Sequence, residues 1–149
     1  MSDNDTFSDY FLELLDDKIK LYRFHPELFG EILGYILPLL TSTKEFFSIT
    51  KDNKEYSLFI PANIGAKLEH LSFVCLSSDV YCVLKLFTED HQINESGVVN
   101  KITQLFASHD VPILFINSYS QNFVLFPERE LQYVCSFLKV FVGEVHSIK

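Results

Sequence analysis

The sequence predicts an α+β protein: two βαββαβ units in tandem, each an antiparallel sheet with its helices on one face. Three observations lead there. Lys18–Phe24 alternates like a strand, and Leu28, Ile32, Leu33, Ile36 and Leu40 then follow helical spacing. The polar stretch KDNK joins two short β-prone runs, KEFFSIT and EYSLFI, as a hairpin. From Val80 the order returns as strand, polar loop, helix, strand, turn, strand, proline, helix and strand. Right-handed crossovers bring the helices of such units onto one face of the sheet.

Residues 1–17 read as an acidic N-terminal segment, in which FSDYFLELLDD forms a short amphipathic turn or helix. The first unit spans 18–87. Pro26 suits the first turn of its helix, where a missing N–H costs nothing, while Gly34 and Pro38 weaken the second half. Lys44–Thr50 and Glu55–Ile60 are the hairpin strands. Their turn is set by Asp52 and Asn53, whose side chains can bond their own backbone. Residues 62–70 are a connector or short helix. Leu71–Leu76 and Val80–Phe87 are short apolar strands, and the 71–87 stretch is open to sharing with the second unit, 88–149.

In that second unit Ser96 caps a helix running from Gly97 to about Ser108, with Val98, Ile102, Leu105 and Phe106 on one face. Val111–Asn117 is a buried strand, Ser118–Gln121 a turn and Asn122–Phe126 the return strand. Pro127 starts a second helix, with Glu128 and Glu130 where the helix dipole favours acid. Val140–His146 closes as a strand. The architecture is ferredoxin-like.

Composition narrows the function. Apolar residues make up 48% of the 149, which supports a packed core and argues against disorder. The longest apolar run, Ile32–Leu40, is too short to insert in a membrane and is broken by Gly34 and Pro38. The start lacks the basic residues of a secretory signal, so the expected location is cytoplasmic. A net charge of −8 without a basic stripe argues against nucleic acid. The histidines and the three cysteines show no metal spacing. No Walker loop, G-x-G-x-x-G or G-x-S-x-G occurs, so neither a cofactor nor enzyme activity is expected.

The string GVVNKITQLFASHDVPILFINSYSQNFVLFPERELQYV resembles an ACT domain, the amino-acid-binding regulatory module of aspartate kinases. It is similar, more closely, to the N-terminal half of the CASTOR-type cytosolic arginine sensors, which act on the TOR pathway through the GATOR complex. KEFFSITKDNKEYSLFI resembles their first hairpin, EHLS a segment that opens their second unit, and NSYSQNFVLFPERELQYV their turn, strand and helix. The resemblance covers roughly residues 18–146. It implies a non-catalytic regulatory protein that binds an amino acid at a domain or dimer interface. The sensors have four such domains and this chain has room for two, which implies a homodimer. A GATOR-like complex is the implied partner.

Carried over, the ligand-holding positions fall on Glu95, Ser96, Gly97 and Val98, on Pro112 and Ile113, and on Ser118, Tyr119 and Asn122. A helix N-terminus offers free N–H groups to a carboxylate, Gly97 permits close backbone approach, and Glu95 can pair with an amine or guanidinium. The sensors have an acid at the Asn122 position and a serine at Pro112. Asn122 cannot neutralise a guanidinium, so arginine, a neutral amino acid and no ligand all remain open. Taken singly, Gly97, Glu95, Ser118 and Asn122 are also ordinary loop and turn residues. Two other readings stand beside the sensor: a ligand-free ACT-fold dimerisation module, and a detached regulatory subunit of an amino-acid biosynthetic enzyme.

Overall fold

A computed structural model of the chain describes residues 11–71, 74–75, 79–87, 95–142 and 146–147. Packing divides the chain into two units that are not simply consecutive. One, here the inserted unit, is Asp17–Tyr81; the other, the outer unit, combines the stretch ending at Asp16 with the stretch beginning at Cys82. The division falls inside a single strand, β1 (Phe11–Phe24).

After its part of β1, the inserted unit continues through a 3-10 turn at Pro26–Leu28, α1 (Phe29–Ser42), β2 (Ser48–Lys51) and β3 (Tyr56–Pro61). It closes with α2 (Ala62–Leu68), a 3-10 turn at Glu69–Leu71 and β4 (Val74–Cys75). β2 pairs β3, β3 pairs β1 and β1 pairs β4, all antiparallel. That is the strand order of a ferredoxin-like βαββαβ unit.

Both helices pack on the same face. Tyr22, Phe24, Tyr56, Leu58 and Ile60 alternate along β1 and β3, and they share one core cluster with Ile32 and Ile36 of α1 and Ile64 and Leu68 of α2. The register sets Tyr22 opposite Leu58 and Phe24 opposite Tyr56. The rings of Phe29 and Tyr56 stack at 4.3 Å, and those of Phe24 and Tyr56 at 5.2 Å. This packing at the N-terminal end of α1 helps hold a helix that Gly34 and Pro38 were expected to weaken. The helix runs on to Ser42 with Pro38 inside it. The β2–β3 turn forms as its composition suggests. Asp52 Oδ1 accepts the backbone N–H of Lys54 at 2.6 Å and of Glu55 at 2.8 Å. Those two bonds hold the Asp52 carboxyl below its ordinary value.

Gly65 of α2 is required by Tyr22. A Cβ there would lie 2.5 Å from Tyr22 Oη and 2.7 Å from its Cε2. Tyr22 cannot easily yield. It is only 1% exposed, and its hydroxyl donates to Glu69 Oε1 at 2.9 Å, an oxygen that Lys20 Nζ also reaches at 3.1 Å. Lys20 first, and Tyr22 next, hold the Glu69 carboxyl below its usual range. Gly65→Ala is expected to destabilise the inserted unit by about 1–3 kcal/mol, the cost of overpacking a filled site. Urea denaturation checks this, and an unchanged midpoint would refute the steric argument.

The outer unit comprises the start of β1, β5 (Tyr81–Phe87) from Cys82 onward, α3 (Glu95–Ser108), β6 (Leu114–Asn117) and β7 (Asn122–Pro127). A 3-10 turn at Glu128–Glu130 leads into α4 (Leu131–Val142), and β8 (His146–Ser147) follows. Its strands follow the order β1-β5-β7-β6, and β8 pairs β1 in parallel, with Glu13 opposite His146. Leu12, Cys82, Leu84, Leu86, Val124 and Phe126 from the strands form one core with Ile102 and Phe106 of α3 and Val134, Phe137 and Leu138 of α4.

Three expectations need correction. Residues from Phe11 onward are strand, where a short amphipathic turn or helix was expected; pairing with β8 and burial of Leu12 in the core decide this. Val140–Val142 continue α4, because the spacing of Val134, Phe137 and Leu138 keeps a helical face on the core; of the expected closing strand, 143–145 lie outside the described residues and His146 begins β8. β2 is shorter than the expected Lys44–Thr50 strand, and the N–H of Phe46 is taken by the Asp17 carboxylate at 3.0 Å instead of a ladder partner. Among the described residues no helix is long and apolar enough to cross a membrane.

Candidate functional site

The candidate residues all lie in the outer unit, and α3 organises them. Its C-terminal end is closed by a Schellman motif: Val111 N–H donates to Phe106 O at 3.0 Å and Asp110 N–H to Ala107 O at 3.1 Å. Asp110 takes the left-handed conformation the motif needs, with φ 55°. Val111 and Phe106 belong to the same buried cluster, the apolar contact that accompanies this motif. The chain thereby reverses, and β6 returns alongside the helix with Ile113 and Phe115 packed against the core. β7 then runs antiparallel to β6, pairing Asn117 with Asn122 and Leu114 with Leu125. Two reversals make α3 and β7 run the same way.

This fixes which residues are level with one another. Phe106 and Phe126 are in ring contact, with centroids 5.9 Å apart. Moving back along β7 from Phe126 to Asn122 covers about 13 Å at roughly 3.3 Å per residue. The same distance back along α3, at about 1.5 Å per residue, arrives near Gly97. The start of α3 and the start of β7 therefore lie at one end of the unit, with the Ser118–Gln121 turn between β6 and β7.

The candidate set divides on this basis. Glu95, Ser96, Gly97 and Val98 form the first turn of α3, which begins two residues earlier than the expected Gly97, so Ser96 stands within the helix. The side-chain roles expected of Glu95, Ser96 and Val98 lie outside the described residues. Ser118 and Tyr119 are at the same end and exposed, Tyr119 fully so at 104%. Ser118 N–H closes the turn on Gln121 O at 2.9 Å. Pro112 and Ile113 lie beyond the opposite end of α3, about 20 Å away along a 14-residue helix. A single unit does not bring them to the other candidates.

Asn122, expected at the start of the return strand, is the first residue of β7; its burial was not expected, for it is 2% exposed and the one buried polar residue among those described. It shares the helix-facing side of β7 with Val124 and Phe126. Its Oδ1 is buried and has no hydrogen-bond partner. Leaving such an acceptor unpaired costs about 1–3 kcal/mol, and an orphan of this kind in an otherwise apolar core calls for a reason. Alternation along NFVLF could have signalled the burial, since Asn122 is in phase with Val124 and Phe126; the turn chemistry of Asn masked it.

The end of the unit therefore combines a helix N-terminus, suited to an anionic group, with a buried acceptor suited to a donor. Among the described residues, no group of His, Cys, Asp and Glu side chains is placed to hold a metal ion.

Residues 77–139 match the family model of the ACT domain, a range that contains α3, the β6–β7 turn and Asn122. The chain is similar in fold to a Vibrio cholerae protein of unknown function described as a possible transport protein, with TM-score 0.67 and 12% identity over 91% of this chain and 92% of that one. An Agrobacterium tumefaciens protein matches with TM-score 0.66 and 14% identity over 94% of each chain. A chain from the aspartokinase alpha and beta subunits matches with TM-score 0.59 and 13% identity, over 90% of this chain and 98% of that one. For Escherichia coli aspartokinase III in complex with aspartate and ADP, the TM-score is 0.57 at 16% identity, and the chain covers 33% of that protein. At these identities the likeness is one of fold.

Proposed function

We propose that this chain is a non-catalytic regulator of the ACT type that binds an amino acid at the end of the outer unit where α3 begins, and passes that state to a protein partner. The observation that carries the reading is Asn122. A buried acceptor without a partner lies level with a helix N-terminus, inside the segment that matches the ACT family. The ligand carboxylate would meet the first-turn N–H groups of Glu95 to Val98, with Ser118 and Tyr119 at the rim. Pro112 and Ile113 would join this site only from a second copy, because within one copy they stand at the other end of α3; a homodimer is part of the proposal. Ligand can bias partner binding only through different affinity for two states of the protein.

The finer form of the reading, from the resemblance to the CASTOR-type sensors, is a cytoplasmic nutrient sensor read by a GATOR-like complex in TOR signalling. A second reading, a detached regulatory subunit of an amino-acid biosynthetic enzyme, is favoured by the match that spans nearly a whole aspartokinase subunit chain. Partner capture from cell extract separates the two.

Thermal-shift and calorimetric titration with the twenty amino acids tests the core of the proposal. Saturating ligand at 100 times its Kd is expected to stabilise the fold by about 2.7 kcal/mol. A folded protein that shows no binding to any of the twenty would leave the ligand-free interaction module as the standing alternative.

A further inference from the structure

We infer that the ligand group reaching Asn122 is an uncharged hydrogen-bond donor, so that the site selects an amino acid with a carboxamide or hydroxyl side chain over charged and purely apolar ones. The inference rests on the proposed amino-acid site and specifies what that site reads.

The core on the helix-facing side of β7, which Asn122 shares, argues for the selectivity. Among the described residues, the buried cluster of this unit, with Leu84, Leu86, Ile102, Val124 and Phe126, holds no charged side chain. On β5, Lys85 is out of phase with the buried Leu84 and Leu86. From Asn122 itself a guanidinium, ammonium or carboxylate would receive only an amide dipole in exchange for its hydration, and buried charge without a partner is strongly disfavoured. An apolar side chain would leave Oδ1 as orphaned as it is in the free protein. A neutral N–H or O–H satisfies the acceptor without introducing charge. The α-carboxylate end of the same ligand is served separately by the start of α3, where N–H groups and the helix dipole favour an anion. Sites that bind through a buried acceptor discriminate against analogues lacking the donor more strongly than apolar pockets discriminate by size.

The test is isothermal titration of the intact protein with L-glutamine, L-asparagine, L-serine and L-threonine. The apolar near-isosteres L-methionine, L-leucine and L-valine, and the charged L-arginine, L-lysine, L-aspartate and L-glutamate, complete the series. At least one carboxamide or hydroxyl ligand is expected to bind about tenfold or more tighter than its isostere, and tighter than every charged amino acid. If arginine or another charged amino acid binds tightest, the inference is overturned while the amino-acid site stands. If none of the series binds, the inference is overturned, and if none of the twenty amino acids binds, the proposed site falls with it.

Two variants give independent readouts. Asn122→Leu is expected to raise the thermal midpoint of the ligand-free protein, because the orphaned acceptor is gone, and to reduce the preference for donor over isostere to about onefold. Asn122→Asp, which keeps the shape, is expected to shift preference towards lysine and arginine. An Asp variant that retains the wild-type ranking would show that this side chain does not read the ligand.

Discussion

A chain shortened to begin at Asp17 is expected to lose the cooperative unfolding of the outer unit while the inserted unit remains folded. β1 supplies Leu12 and Leu14 to the outer core and provides the strand on which β8 pairs. Burying a leucine contributes about 1.5–3 kcal/mol, and removing the strand also exposes the neighbouring edge of β5, a template for aggregation. Set against a typical domain stability of about 5–15 kcal/mol, this loss is large. Leu12→Ala is the milder form, with an expected cost of about 2–5 kcal/mol. Hydrogen exchange resolved by segment provides the measurement. Fast exchange across α3 and α4 with protection kept in α1 is the expected pattern, and retained protection in α3 would remove β1 from the outer core. A fragment that starts at residue 88, where a simple tandem would divide the chain, should fail to fold for the same reason.

Phe106→Ala is expected to destabilise the outer unit by about 3–5 kcal/mol, the range for emptying a buried aromatic site. Phe106 is fully buried. It meets Phe137 edge-on at 5.3 Å and Phe126 at 5.9 Å, so it ties α3 to α4 and to β7 at once. Its carbonyl also accepts the bond that closes the Schellman motif, so a shift of the backbone here would loosen the turn into β6. Leu105 offers a comparison on the same helix, since it is buried yet makes none of these ring contacts. Denaturation by guanidinium, read through far-UV circular dichroism, measures the effect. A loss below about 1 kcal/mol would mean that the neighbouring rings collapse into the space.

The fold was legible where local rules suffice. Helical spacing and Pro26 placed α1, the Asp52 side chain placed the β2–β3 turn, and the phase of Ile102 and Phe106 placed the inner face of α3. Each depends on residues a few positions apart. The strand at Phe11 was not legible, because an acidic, leucine-rich stretch satisfies a helical pattern as well as an alternating one, and pairing with strands from far along the chain, β5 and β8, chooses between them. The same holds for the end of α4, where β-prone valines and phenylalanine stay helical as the continuation of a helix whose Val134, Phe137 and Leu138 pack on a core built by distant strands.

The candidate site shows the same division. The residue types at the start of α3, in the Ser118–Gln121 turn and at Asn122 could be named from the order of the chain. Which of them share an end of the unit could not, since that depends on two chain reversals and on strand register. By itself the sequence determined α1, α3 and the start of α4, the hairpin turns and the chemistry each side chain can offer, because backbone preference and side-chain type act locally. The tertiary structure alone decided that one strand serves two cores, that Pro112 and Ile113 stand apart from the other candidates, and that the Asn122 amide is buried without a partner. Burial and pairing are set by residues distant in sequence, and the free energy of a polar group depends on the surroundings they create.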